Sequence, residues 1–170
     1  MFFFFCIFAL KKVVSFTLMK STLFYSKILL FGEYGIIKDS KGLAIPYNSY
    51  NGTLKKVPLS EQNKEQEQSN RSLAKYFVYL SEITQGEAPL VQFDMERLSE
   101  DITQGMYFDS SIPQGYGVGS SGALVAAIYS EYAINPIDAM AHLTREQLLQ
   151  LRAIFGRMES FFHGTSSGLD

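Results

Sequence analysis

Between Pro113 and Ala123 the chain reads PQGYGVGSSGA, with four glycines in eight residues (Gly115, Gly117, Gly119 and Gly122), and it runs straight into the compact helix former ALVAAIYSEYA. A loop this small that enters a helix offers unpaired backbone N–H groups at the positive end of the helix dipole, and its glycines let an anion approach the backbone closely. Phosphate is the natural guest. A flexible turn that needs small residues for packing is the plainer alternative. Ser120 and Ser121, in the first helical turn, favour the anion site.

Three glycine-loop patterns can be compared with it. A P-loop needs Gly-Lys-Ser/Thr at the helix start, and no lysine follows any glycine of this cluster. Gly117 to Gly122 satisfies G-x-G-x-x-G, with Asp138 at a suitable distance for a ribose-binding acid. That fingerprint, however, requires a hydrophobic strand running directly into its first glycine, and here Gln114-Gly115-Tyr116 precedes it. A dinucleotide-dependent oxidoreductase therefore predicts a central parallel strand feeding Gly117. The protein-kinase loop should be followed by a strand, whereas ALVAAIY is helical.

The chain has 170 residues, 46% of them hydrophobic, enough for one domain with a sizeable core. Fifteen Lys+Arg against 17 Asp+Glu give a formal net charge of −2 and no clustered basic run, which argues against nucleic acid as a partner. The single cysteine, Cys6, cannot form an internal disulfide, and no Cys/His spacing resembles a zinc site. A cytoplasmic location is the default expectation.

Six of the 14 Phe fall in the first 18 residues, before any glycine occurs. Met1 to Leu10 is apolar but is stopped by Lys11-Lys12, well short of the ~20 residues of a membrane-spanning helix. It also lacks the charge order of a secretory signal. Residues 1–18 are thus expected to be an apolar extension outside the fold, with Met19 a suitable start. A short membrane-associating segment is the alternative. No stable membrane span is expected.

Further along, Leu23 to Phe31 reads as a buried strand interrupted by Lys27 and ended by Gly32. Gly42 to Tyr50 and Gly52 to Val57 read as two short strands around an Asn51-Gly52 hairpin turn. Ser60 to Asn70 is almost wholly polar, a solvated loop or frayed helix start. Arg71 to Ile83 carries a helical stripe of Leu73, Phe77 and Leu80, Val91 to Asp101 is ambiguous, and Gly105 to Ile112 reads as a strand. Ala123 to Ala133 is a helix stopped by Asn135-Pro136. Thr144 to Phe162 opens on a Thr144/Gln147 capping box and lines up Leu148, Leu151, Phe155, Met158 and Phe162. This irregular mixture indicates an α+β fold rather than a doubly wound one.

Taken together, the motifs resemble a known superfamily. PQGYGVGSSGA resembles P-x-G-x-G-[LV]-G-S-S-[AG], the second signature of the galactokinase, homoserine kinase, mevalonate kinase and phosphomevalonate kinase (GHMP) superfamily. KILLFGEYGII (Lys27 to Ile37) is similar to the first signature. ESFFHGTSSGLD (Glu159 to Asp170) resembles the mevalonate kinase segment E-x-x-x-H-G-x-x-S-G-x-D. The resemblance spans Leu23 to Asp170. It implies an α+β N-terminal domain over residues 19–170 with a left-handed βαβ unit. In whole family members a ferredoxin-like C-terminal domain follows, and it is absent from this chain.

The resemblance also implies roles. Asp170 matches the catalytic carboxylate that accepts or orients the proton of the attacking hydroxyl, and Lys27 matches the lysine that pairs with it. Alone, Asp170 would read as a helix-capping acid and Lys27 as an edge-strand lysine. Ser121 and Glu159 resemble the magnesium ligands. Ser120 and the backbones of Gly115, Gly117, Gly119 and Gly122 would hold the phosphates of ATP. Glu33, Tyr34, His163 and Ser167 sit where relatives contact the acceptor, a small molecule bearing a hydroxyl. Tyr34 stands where mevalonate kinases carry histidine and resembles phosphomevalonate kinases, while HGTSSGLD favours mevalonate kinase, with Thr165-Ser166 replacing Asn-Pro. The implied activity is ATP- and Mg2+-dependent phosphorylation of the primary hydroxyl of mevalonate. Phosphomevalonate or another family acceptor is the alternative. A non-catalytic phosphate-binding fragment is the competing class. Such a fragment would leave apolar surface unburied and tend to associate, a homodimer being one form this can take.

Overall fold

The computed structural model describes residues 22–31, 43–85, 89–139 and 141–163. Strand β1 (Phe24–Phe31) and strand β3 (Met106–Ser110) both pair antiparallel with strand β2 (Leu43–Lys56), giving the sheet order β1-β2-β3. Four helices accompany the sheet: α1 (Lys64–Ile83), α2 (Met95–Thr103), α3 (Ser120–Tyr132) and α4 (Arg145–His163). Helix α1 packs on β3, α3 packs on β1 and β2, and α4 lies against α3 and α1. The α+β expectation holds. All strand pairs among the described residues are antiparallel, so the left-handed βαβ unit has no counterpart among them.

The main core follows helical spacing. Leu73, Tyr76 and Leu80 of α1, Val125, Ile128, Tyr129 and Tyr132 of α3, and Leu151, Ile154 and Met158 of α4 meet in one cluster with Leu98, Ile102 and Met106. A second, smaller cluster joins Phe24 of β1 to Ala123 and Ala127 of α3 and to Ile112, with Val118 packed against it. Ile112 and Val118 lie on either side of Gly115 and Gly117, so this part of the loop is tethered to the core before and after its first two glycines.

Three sequence expectations need correction. There is no hairpin at Asn51-Gly52, because β2 runs unbroken from Leu43 to Lys56. Gly52 pairs with Phe24 on one side and Ser110 on the other, and a Cβ there would lie 2.2 Å from Cζ of Phe108. The glycine meets a close approach within a sheet rather than a reversal of the chain. The register jumps from Tyr25↔Asn51 to Ser26↔Tyr47, so the irregularity is a bulge in β2. Second, most of the polar stretch Ser60 to Asn70 is helix. Asn63 caps α1, accepting from the Gln66 amide at 2.9 Å, while its own amide donates to Gln66 Oε1 at 3.0 Å. Third, α3 starts at Ser120 rather than at Ala123, which agrees with the placing of both serines in its first turn. The ambiguous Val91 to Asp101 resolves into a bridge at Phe93 and helix α2, capped by Asp94. The capping box of α4 forms as expected, between Thr144 and Gln147.

One polar cluster ties α2, β2 and α3 together. Asp101 is buried, accepts from the Tyr132 hydroxyl at 2.6 Å and pairs with Lys56, while Arg97 pairs with Glu131 and lies 5.0 Å from the Tyr132 ring centre. Burial alone would raise the Asp101 carboxyl, but the hydrogen bonds from Lys56 and Tyr132 and the charges of Lys56 and Arg97 outweigh it and hold it below its ordinary value. A carboxyl lowered on folding stabilises the native state above its unfolded pKa, and that contribution is lost as pH falls through the folded pKa. Asp101→Asn is therefore expected to cost about 1–3 kcal/mol at neutral pH. It should also flatten the loss of stability on acidification below the ordinary carboxylate range, as read by urea unfolding across pH.

Candidate active site

The glycine loop is fixed to strand β1 at the lysine. In β1, which ends the sheet order, Lys27 pairs with Pro46 of β2, and its amide donates to Val118 O at 3.0 Å. The next residue, Gly119, has φ +81°, and a Cβ on it would lie 2.8 Å from Cγ of Lys27. Glycine is needed there twice, for the left-handed backbone and for the contact. Two segments more than eighty residues apart in sequence are thereby held together.

Gly119 is also the N-cap of α3. No side chain caps this helix and its first turn contains no acid. Ala123 N–H bonds back to Gly119 O at 3.0 Å, so the amides of Ser120, Ser121 and Gly122 precede the first regular turn bond. The helix dipole and those amides form an end that favours an anion.

This end opens on a cleft of about 1150 Å³. Lys27, the loop residues Gly115, Gly117 and Gly119, and both serines line it, facing a wall built from α1 and from β3 between Tyr107 and Ser110. Phe161 and Phe162 of α4 complete the lining. The α1 wall was not foreseen as part of the site. Its cleft-lining residues Lys64, Gln68, Ser72 and Lys75 recur at helical spacing, and the Asn63-x-x-Gln66 box marks where that helix begins. Those were the available signals.

Of the residues singled out from sequence, Lys27, Gly115, Gly117, Gly119, Ser120 and Ser121 come together on the cleft. Gly122 follows in the same helical turn. Glu159 is buried on α4, 1% exposed, and is not among the cleft-lining residues. Its charge is felt by Tyr76, whose phenol is pushed well up by burial first, then by Tyr79 and Glu159, and donates to Met158 O at 3.2 Å. Glu33, Tyr34, Ser167 and Asp170 lie outside the described residues, as does the side chain of His163, the last residue of α4. The dinucleotide reading is removed. The strand before the loop is β3, an antiparallel strand at the end of the sheet order, and it ends at Ser110, seven residues before Gly117.

Comparison with known proteins bears on the same segment. Residues 89–170 match the family model described as the GHMP kinases N terminal domain. The match supports the GHMP kinase superfamily. No curated protein and no solved structure matches the chain. The GHMP match takes in α2, β3, the glycine loop, α3 and α4, whereas β1 with Lys27, β2 and α1 precede it. GHMP kinases are phosphotransferases that use ATP, generally with Mg2+. Among the described residues no helix is long and apolar enough to cross a membrane.

The loop geometry separates two glycines by substitution. Gly115 has φ +80° but open space around a Cβ, whereas Gly119 combines the same backbone strain with the Lys27 contact. Gly115→Ala is expected to cost about 1 kcal/mol from backbone strain alone. Gly119→Ala should cost about 1–3 kcal/mol more, because overpacking adds to it. Thermal unfolding of the two variants, compared with the parent chain, checks the order.

Proposed function

We propose that this chain is the N-terminal part of an ATP-dependent kinase that phosphorylates the primary hydroxyl of mevalonate. The docking of the glycine loop and the α3 N-terminus onto Lys27 carries the reading, since it puts a lysine beside an anion-binding helix end on one cleft. ATP supplies the γ-phosphoryl group. The backbone N–H groups between Gly115 and Gly122 would hold its phosphate oxygens, and Ser120 would add a hydroxyl donor.

The residues present fit a hard divalent cation in part. Ser121 lies on the cleft and Glu159 on α4, which packs against α3, so the two elements that carry the oxygen donors are neighbours. Ser121 and Glu159 would hold Mg2+, which neutralises phosphate charge when bound.

Asp170 would orient the acceptor hydroxyl and take its proton, while Lys27 would keep that carboxylate ionised and counter charge on the transferred group. The oxygen–phosphorus bond to the acceptor forms as the bond from the γ-phosphorus to the bridging oxygen breaks. The proton passes to Asp170, and ADP leaves with the electron pair. Phosphoryl transfer asks mainly for this positioning and charge compensation. Glu33, Tyr34, His163 and Ser167 are assigned to acceptor recognition, and HGTSSGLD favours mevalonate over phosphomevalonate.

The test is ADP release from the chain joined to a GHMP kinase C-terminal domain, with mevalonate and phosphomevalonate as alternative acceptors. Turnover is expected with mevalonate, and Asp170→Ala should reduce kcat by at least about 100-fold. Residues 1–170 alone should show none. Absence of turnover on both acceptors, or full activity in Asp170→Ala, would overturn the assignment.

A further inference from the structure

Tyr116 does not itself line the cleft but lies in the chain between two glycines that do, and none of the roles assigned to the loop falls on it. It is 80% exposed, the most exposed of the large hydrophobic side chains among the described residues, and its phenol makes no hydrogen bond among them. Its two neighbours, Gly115 and Gly117, both line the cleft. Both have positive φ, +80° and +67°, and a Cβ on either would meet no atom within 4 Å. These glycines therefore do not serve packing. They serve a backbone path that carries Tyr116 out of the loop and leaves its ring uncovered.

The rest of the loop is not loose. Val118 is anchored by the Lys27 amide and by the apolar cluster of Phe24 and Ile112, so the aromatic ring is borne on a fixed support. An exposed ring held beside an anion-binding helix end is placed to gain contact area only when a ligand arrives. Between Lys64 and Lys75, the cleft wall of α1 also contains the uncharged polar side chains Gln68 and Ser72, which can donate to and accept from the edge of a heterocycle.

We propose that Tyr116 stacks on the nucleobase of the bound nucleoside triphosphate and is the residue by which this cleft distinguishes a nucleotide from a bare polyphosphate. The inference rests on the nucleotide-binding reading above and adds the recognition of the base. Stacking of a base on an aromatic side chain is worth enough to change affinity by roughly tenfold.

Calorimetric titration of the full 170-residue chain with ATP and with inorganic tripolyphosphate tests it. The parent chain should bind both, ATP more tightly. Tyr116→Ala should weaken ATP about tenfold and leave tripolyphosphate unchanged, while Tyr116→Phe should keep the parent affinity for ATP. The chain contains no tryptophan, so Tyr116→Trp supplies a unique fluorophore. Its emission should be quenched by ATP and not by tripolyphosphate. At this exposure none of the three substitutions should move the unfolding midpoint. Unchanged ATP affinity in Tyr116→Ala, or an equal loss for both ligands, overturns the stacking role while the phosphate site stands. Failure of the parent chain to bind either ligand overturns the phosphate site and the stacking role together.

Discussion

The hydrogen bond from the Lys27 amide to Val118 O, together with the approach of Gly119 to the Lys27 side chain, is the contact on which the site depends. It gives a backbone donor of β1, the strand at one end of the sheet order, a partner in the loop. The α3 N-terminus is thereby placed beside a lysine. Any side chain at position 119 would push these two apart, and the left-handed backbone there would resist it as well. The anion-binding end of α3 and the strand that carries the cation are thus one structural unit.

Packing holds that unit in place from below. Ile112 and Val118 insert into the cluster with Phe24, Ala123 and Ala127, while α3 continues into the main core through Val125, Ile128 and Tyr132. The small residues of α3 let it lie close on β1 and β2. Asp101, Tyr132 and Lys56 then join the far end of α3 to α2 and β2, well away from the cleft. Rigidity at the helix end is what an electrostatic site needs, since donors that are already oriented lose little on binding.

Much of this was legible in the sequence, for physical reasons. The glycine loop and the α3 and α4 helices carry strong local signals, small residues and 3.6-residue periodicity, and local signals survive folding. Lys27 stood out because it breaks an apolar strand. Asn51-Gly52 misled, because a glycine required by the Phe108 ring looks the same in sequence as one required by a turn. The first half of α1 escaped because its apolar stripe begins only at Leu73. Its polar cleft-lining face resembles a solvated loop until the sheet is placed opposite. The partnership of Asp101 with Tyr132 and Lys56 has no local signature at all, since its members come from three elements.

The central claim is that the glycine loop and the first turn of α3 receive the phosphates of a nucleotide. Amide hydrogen exchange of the chain with and without ATP addresses it most directly. The account predicts slowed exchange at Gly117 to Gly122, with Asp101 to Met106 unchanged. Exchange in the loop that ATP leaves untouched, or protection spread evenly over the domain, would contradict it.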